Sequence, residues 1–309
     1  MNTFSIAIHG GAGTLVKGMM TSELEAQYKS ALKSALEVGY SVLEKGGTSV
    51  DAVEKAVVVL ENSPLFNAGK GAVFTADETH EMDASIMDGK TLNAGAVSLI
   101  TGIKNPVSLA KDVMEKSEHV FLAGEGAMQF AKMNEYIIED EAYFYDELRH
   151  KQWLEIKDTD SFQLDHAKKK DSKFGTVGAV ACDKEGNIAA ATSTGGMTNK
   201  RFGRVGDSPM IGAGNYANNK TCAISCTGSG EFFIRGVVAY DVACLIEHKN
   251  MSLLAASNEV IYKRILEIGG DGGLIAVDTK GNIAMPFNTE GMYRASKSSI
   301  GKEEIAIYK

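Results

Sequence analysis

Two copies of one short signature limit what this chain can fold into. Asp183-Lys184-Glu185-Gly186-Asn187 and Asp278-Thr279-Lys280-Gly281-Asn282 are each followed by Ile-Ala and each preceded by an apolar run. Glycine at the position of a left-handed turn residue, between two strand-like runs, specifies a hairpin. Strands at 177–182 with 188–194, and at 274–277 with 283–287, are the expected pairs. Two more strands fit residues 82–100 around the turn Asp88-Gly89-Lys90, and a short one fits 4–8. Apolar residues at three- and four-residue spacing predict helices at 22–44, 50–60, 107–115, 123–133, 232–247 and 253–266. Hairpins in place of helical crossovers imply antiparallel sheets with helices packed outside them. The expected fold class is α/β (α+β), an αββα four-layer sandwich with mainly antiparallel sheets, forming one structural domain of 309 residues. The 33 glycines against 4 prolines agree with many tight turns.

Several function classes drop out on composition. Forty acidic against 32 basic residues leave a net charge of −8, which argues against nucleic acid as a partner. No apolar run is long enough to span a bilayer, and Met1-Asn2-Thr3-Phe4-Ser5 is not a basic leader, so no membrane partner and a cytoplasmic location are expected. Four cysteines do not make a disulfide scaffold, and Cys222 and Cys226, in an apolar run, read as buried thiols. Gly11-Ala12-Gly13 lacks the third glycine of a dinucleotide loop, Val16 standing there instead. There is no G-x-S-x-G elbow, no Walker loop and no H-E-x-x-H. The six histidines are scattered, and His9 reads as a hydrogen-bonding residue rather than a base.

What remains is threonine and glycine. From about 155 to 175 the apolar period disappears, and ten of 21 residues are Asp, Glu or Lys. Such a stretch is either a solvated surface loop or a functional linker. It ends at Gly175-Thr176-Val177, where the chain turns abruptly β. Thr176 is either a β-branched residue opening a strand or a nucleophile exposed by a cut before it. A free threonine α-amine, with an ordinary pKa of about 7.7–8.0, can take the hydroxyl proton, so one residue supplies nucleophile and base. The hairpin register adds to this. If Asp183 pairs with Asn187, the same count sets Thr176 opposite Thr194, with Thr192 on the same face. A second threonine hydroxyl there can orient the nucleophile.

Two further clusters carry chemistry. Thr227-Gly228-Ser229-Gly230 is either a strand-to-helix turn or a cradle for a developing oxyanion. In the loop Gly203-Arg204-Val205-Gly206-Asp207-Ser208, Arg204 and Asp207 are either a surface pair or the carboxylate and ammonium partners of a free amino acid.

Together with His9-Gly10-Gly11-Ala12-Gly13, Asn67-Ala68-Gly69-Lys70-Gly71, Met82-Asp83-Ala84-Ser85 and Thr192-Ser193-Thr194-Gly195-Gly196, these segments resemble the plant-type L-asparaginase/isoaspartyl peptidase family. These are N-terminal nucleophile hydrolases made as one precursor. The resemblance implies cleavage between Gly175 and Thr176 into an α segment, 1–175 with its linker, and a β segment, 176–309. It implies Thr176 as nucleophile with Thr194 beside it, Thr227 and Gly228 as oxyanion hole, and Asn67 as an organising residue. Arg204 and Asp207 become the clamp for substrate carboxylate and amine. The implied substrates are L-asparagine and β-aspartyl dipeptides, and the implied assembly is a homodimer of processed αβ units. No cofactor for catalysis is implied, but a structural sodium ion is, held by backbone carbonyls of Leu60, Glu61, Ser63, Phe66, Ala68 and Lys70. Lys70 departs from the usual residue of the family, though its expected contact is through the backbone. The alternatives are a glycosylasparaginase-type amidohydrolase, which fits the Gly-Thr-Val-Gly junction less well, or an unprocessed, non-enzymatic member of the fold.

Overall fold

A computed structural model of the continuous chain describes residues 3–158 and 175–309. Most of the polar stretch expected at 155–175 therefore lies outside the described residues. Its first residues, 155–158, continue a helical turn, with Ile156 buried.

Before that stretch come β1 (Ser5–Gly13), α1 (Ser22–Glu44), α2 (Ser49–Glu61), β2 (Met82–Asp88), β3 (Ala94–Ile100), α3 (Pro106–Lys116), β4 (Phe121–Ala123), α4 (Gly124–Met133), α5 (Glu141–Phe144) and α6 (Glu147–Leu154). After it come β5 (Val177–Cys182), β6 (Ile188–Thr194), β7 (Asn215–Ala217), β8 (Ala223–Gly228), α7 (Gly230–Gly236), α8 (Val238–Lys249), α9 (Leu253–Glu259), β9 (Gly272–Val277), β10 (Ile283–Ala284), β11 (Gly291–Ser298) and β12 (Glu303–Tyr308).

The helices form where the sequence supplies one apolar face and a cap. In α1, Tyr28, Leu32, Ala35, Leu36, Gly39 and Leu43 are buried at three- and four-residue spacing, and Thr21 accepts a hydrogen bond from the Leu24 N–H at its start. Thr48 caps α2 in the same way. The strands make two sheets, one in the order β12-β11-β1-β5-β6-β2-β3-β4 and one in the order β10-β9-β8-β7. Every pairing is antiparallel except β3 with β4.

Alternation along β5 and β6 decides which residues meet which layer. Val177, Ala179, Ala181, Ala189 and Ala191 face the helices, in one core with Leu32 of α1 and Leu60 of α2. Val180, Cys182, Ile188 and Ala190 face the second sheet, against Ile275 and Val277. A third core joins the smaller sheet to Phe233, Val238, Val242 and Ala256 of α7–α9. The layering is αββα, as the hairpins required. Cys222 and Cys226 are fully buried, and burial pushes both thiols up, Cys222 to about 12.

The β5–β6 register is the one counted from the sequence: Val177 lies opposite Ser193 and Gly178 opposite Thr192. Gly186 and Gly281 take positive φ, 83° and 76°, as the two turns require. Elsewhere the structure departs from the expected elements. The first strand runs on through the glycines to Gly13, with an irregularity between His9 and Ala12. The helix expected over 232–247 breaks at Val237, a half-exposed residue at φ 45°, which redirects the chain so that Phe233 and Val238 reach one core. The helix expected over 253–266 becomes π-helical at Val260–Arg264. The strand expected over 283–287 forms a ladder at Ile283–Ala284, is interrupted where Pro286 has no N–H to donate, and returns as a single bridge of Phe287 with Gly273. β11 and β12 are strands that the sequence patterns do not predict. No helix among the described residues is long and apolar enough to cross a membrane.

Candidate active site

Gly175 and Thr176 lie at the mouth of the β5–β6 hairpin, on the face between the two sheets. One step beyond the ladder, Thr176 stands in line with Thr194, which itself pairs with Asp83 of β2. Both threonines are buried. The Thr194 hydroxyl accepts a hydrogen bond from the Gly196 N–H (3.0 Å). The side-chain partner of Thr176 Oγ1 is Ser208 Oγ, 3.2 Å away.

The His9-Gly10-Gly11 segment explains itself at this point. Gly11 has φ 111°, and a Cβ built there would lie 2.5 Å from the Gly175 nitrogen. Only a bare backbone lets β1 pass against the Gly175–Thr176 bond. His9 is fully buried and hydrogen-bonded to Ser225 Oγ (2.9 Å), which in turn bonds Thr192 Oγ1 (2.7 Å). Burial pulls the imidazole down to about 3, offset only in part by the Thr176 backbone. A ring that stays neutral and this hard to protonate is a structural link between the sheets, in keeping with its sequence reading.

Asn67 clasps the turn after β6. Its Nδ2 donates to the Gly196 carbonyl (2.7 Å), its Oδ1 accepts from the Val73 N–H (3.1 Å), and its carbonyl accepts from the Gly195 N–H (3.0 Å). On the other side, Thr227 at the end of β8 is fully buried, and its Oγ1 has no hydrogen-bond partner among the described residues. That oxygen lies 3.1 Å from a Cβ built on Gly175. A buried hydroxyl without a partner is costly unless something is to occupy the place beside it. The next residue, Gly228, lines a small cavity together with Gly175 and Thr176.

Arg204 and Asp207 reach this cavity together with Thr176. Asp207 is buried, and its Oδ2 likewise has no partner among the described residues. Burial raises its carboxyl to about 7; Arg204 pulls it down, while Glu231 and Asp83 add to the rise. Arg204 is held by a residue that sequence reasoning misses. Its Nε and Nη2 donate to the two carboxylate oxygens of Glu231, at 2.9 and 3.0 Å. This occupies one edge of the guanidinium and leaves the other, between Nη1 and Nη2, for a second carboxylate. The signal for Glu231 is its place as an acid in the first turn of a helix that follows Thr227-Gly228, though such an acid reads first as a dipole partner. Ser208 closes the glycine-rich loop of Arg204 and Asp207 and has no role of its own in the sequence pattern. Free space in the cavity amounts to about 30 Å³, room for one water, while Gly175 still lines it.

The loop expected to hold sodium has the form such a site needs. A Cβ at Gly69 or Gly71 would strike the carbonyl oxygens of Glu61 or Phe66, and one at Gly71 would come 2.7 Å from that of Pro64. Three backbone carbonyl oxygens therefore crowd the two glycines of this turn. Those of Leu60, Phe66 and Ala68 also accept hydrogen bonds from Ser63, Ala68 and Gly71, which leaves each a second lone pair. The Lys70 ammonium lies over the Tyr143 ring, 5.4 Å from its centre. The residues fit a hard cation bound through backbone oxygen.

The family model described as "Asparaginase" matches residues 2–307. The isoaspartyl peptidase of Escherichia coli is 52% identical over 94% of this chain and 91% of its own length. The probable isoaspartyl peptidase/L-asparaginase 2 of Arabidopsis thaliana is 40% identical over the full length of both chains. A plant-type L-asparaginase of Pyrococcus horikoshii is 43% identical over 98% of this chain and 99% of its own. A match over nearly every residue, with relatives well above 30% identity, shows that this chain belongs to the asparaginase family.

Proposed function

We propose that this chain is a hydrolase with isoaspartyl peptidase and L-asparaginase activity, activated when it cuts itself between Gly175 and Thr176. The observation that carries this reading is the pair of buried, unpartnered groups on either side of Gly175: Asp207 Oδ2, whose residue lines one small cavity with Gly175, and Thr227 Oγ1, which lies against Gly175. In the cut, Thr176 Oγ1 attacks the Gly175 carbonyl carbon, and the C–N bond breaks. The hydroxyl proton ends on the Thr176 nitrogen as it becomes an amine, and water then hydrolyses the ester.

Departure of residue 175 leaves room for a β-aspartyl group. Arg204 takes the substrate α-carboxylate on its free edge, and Asp207 takes the α-ammonium. Thr176 Oγ1 adds to the β-carbonyl while its own α-amine receives the proton. Thr227 Oγ1 and the Gly228 N–H donate to the developing oxyanion. The leaving nitrogen takes the proton from that amine, and water releases aspartate from the threonine ester. Thr194 and Asn67 fix the turn beside the nucleophile.

A sodium ion at the Leu60–Lys70 carbonyls would stiffen the loop that carries Asn67, and it has no part in the bond-breaking steps. Assembly as a dimer of cut units belongs to the same reading, and size-exclusion chromatography checks it.

The experiment is intact-mass measurement and denaturing electrophoresis of the wild-type protein and Thr176→Ala, with aspartate release from a β-aspartyl dipeptide and from L-asparagine. The reading expects fragments 1–175 and 176–309 and both activities in the wild type, and neither in the variant. Thr176→Ser should keep part of both. A wild-type chain that stays whole and inactive would overturn the proposal in favour of an unprocessed member of the fold.

A further inference from the structure

Ser208 touches the reacting oxygen, and neither the implied nucleophile-and-clamp set nor the oxyanion pair uses it. Its Oγ is the side-chain partner of Thr176 Oγ1, at 3.2 Å, and both residues are buried. Among the described residues, that oxygen is its only hydrogen-bond partner. Ser208 is placed by its backbone. Its carbonyl accepts a hydrogen bond from Ser85 Oγ of β2 (2.6 Å), and the Ser85 carbonyl is held by Asn215 Nδ2 (3.4 Å), which also donates to Thr192 Oγ1 (3.1 Å). The serine is thus fixed to the same strands that place Thr176, whatever its own hydroxyl does.

A serine hydroxyl has one proton to give, and no competing acceptor claims this one. We propose that Ser208 is a further catalytic residue, whose O–H donates to Thr176 Oγ1 and stabilises the charge that this oxygen carries as nucleophile and as leaving group. The proposal rests on the threonine-nucleophile reading above.

On acylation, Oγ1 bonds the substrate carbonyl carbon, the carbon–nitrogen bond breaks, and the Oγ1 proton passes through the Thr176 amine to the leaving nitrogen. On deacylation, a water oxygen bonds the acyl carbon, the C–Oγ1 bond breaks, and a proton from the water returns to Oγ1 through the same amine. Ser208 keeps its own proton throughout and works in both half-reactions. Thr227 and Gly228 cannot do this, because they face the carbonyl oxygen. Thr194 Oγ1 accepts from the Gly196 N–H, and among the described residues the hydrogen bond of Thr176 Oγ1 is made to Ser208 and not to Thr194.

The test compares Ser208→Ala and Ser208→Cys with the wild-type enzyme. The readouts are kcat and KM on one β-aspartyl dipeptide, the rate of chain cutting by electrophoresis, and the melting temperature. Loss of one donor at a charged oxygen is expected to lower kcat by ~10²-fold in the alanine variant, with KM little changed. Cutting should slow in parallel, since the same oxygen attacks. A thiol is a weaker donor, so kcat should fall in the order Ser, Cys, Ala at a common melting temperature.

Alanine activity within a few-fold of wild type would overturn the proposal. So would a raised KM at unchanged kcat, because a merely structural serine would disturb the clamp on its own loop. If the alanine variant melts early, the cysteine variant decides: wild-type kcat with an intact fold refutes the role. A wild-type enzyme that never cuts or hydrolyses would instead sink the nucleophile reading, so the two failures are distinguishable.

Discussion

Asp207 should destabilise the protein it serves, and by an amount that depends on pH. Its carboxyl is buried and raised from an ordinary 3.8 to about 7. An acid raised by folding contributes nothing unfavourable below 3.8, where it is protonated folded or unfolded. As pH rises from there to about 7, the unfolded chain releases the proton and the folded chain does not, so stability falls. A rise of this size corresponds to roughly 4 kcal/mol, of which roughly 2–3 kcal/mol accrues between about pH 5 and pH 8. Burial is nearly complete, so little solvent screening reduces this figure.

Asp207→Asn removes the titration and keeps the shape. In a Thr176→Ala background, where the chain is expected to stay whole and unfolding remains unimolecular, urea denaturation of parent and variant at about pH 5 and pH 8 gives the comparison. The variant should gain on its parent by roughly 2–3 kcal/mol between the two pH values. An unchanged difference would mean that Asp207 ionises freely and that its burial costs nothing. The same substitution should abolish binding of substrates with a free α-amine, so stability gained and function lost would come from one oxygen.

The two groups that must lose protons separate in kinetics. kcat/KM should rise through about pH 7 because of Asp207 in the free enzyme, whereas kcat should retain only the limb of the Thr176 amine, since a bound ammonium ionises Asp207; replacing each histidine in turn should leave both limbs in place. Arg204→Ala should raise KM by a factor corresponding to about 2–4 kcal/mol, with Arg204→Lys recovering only part, and equal turnover of asparagine and its carboxyl-amide analogue would show that no carboxylate clamp exists. Gly11→Ala, which places a methyl group 2.5 Å from the Gly175 nitrogen, should block cutting at the 175–176 bond, as intact mass would show; normal fragments would refute that contact.

What can be read in advance divides along physical lines. The β5–β6 register is legible because Gly186 leaves one way to close the turn, and counting outward from it reaches Thr176 and Thr194. Thr227, Arg204 and Asp207 are legible as residue types in glycine-rich loops, but not as neighbours around Gly175 and Thr176. The Glu231 carboxylate on Arg204 is not legible, since 27 residues separate the two and an acid opening a helix has a simpler explanation. Ser208 is hidden for the opposite reason: it adjoins Asp207, which accounts for the motif by itself. The break falls on Val237, a β-branched residue in a left-handed conformation, one position after the Gly236 that would mark it, and β11 and β12 carry charged residues on strands at one edge of the larger sheet.

The strand order of the larger sheet fixes a sequence of events in time. Strands from before and after Thr176 alternate in it, meeting at three seams: β11 with β1, β1 with β5, and β6 with β2. The smaller sheet and α7–α9 lie wholly in 176–309, while α1–α6 lie wholly in 3–158. Neither half, alone, owns the complete larger sheet on which α1–α3 pack. The seams must therefore be assembled before there is a site able to make the proposed cut, and afterwards they would be what keeps the halves together. The proposed cut would also turn a folding problem solved within one molecule into one that needs two to meet, so a processed enzyme that once came apart would have no comparable route back. Maturation by the proposed cut would run in one direction: each molecule would fold as a single chain, give up that connectivity once, and thereafter persist only as long as its seams stay closed.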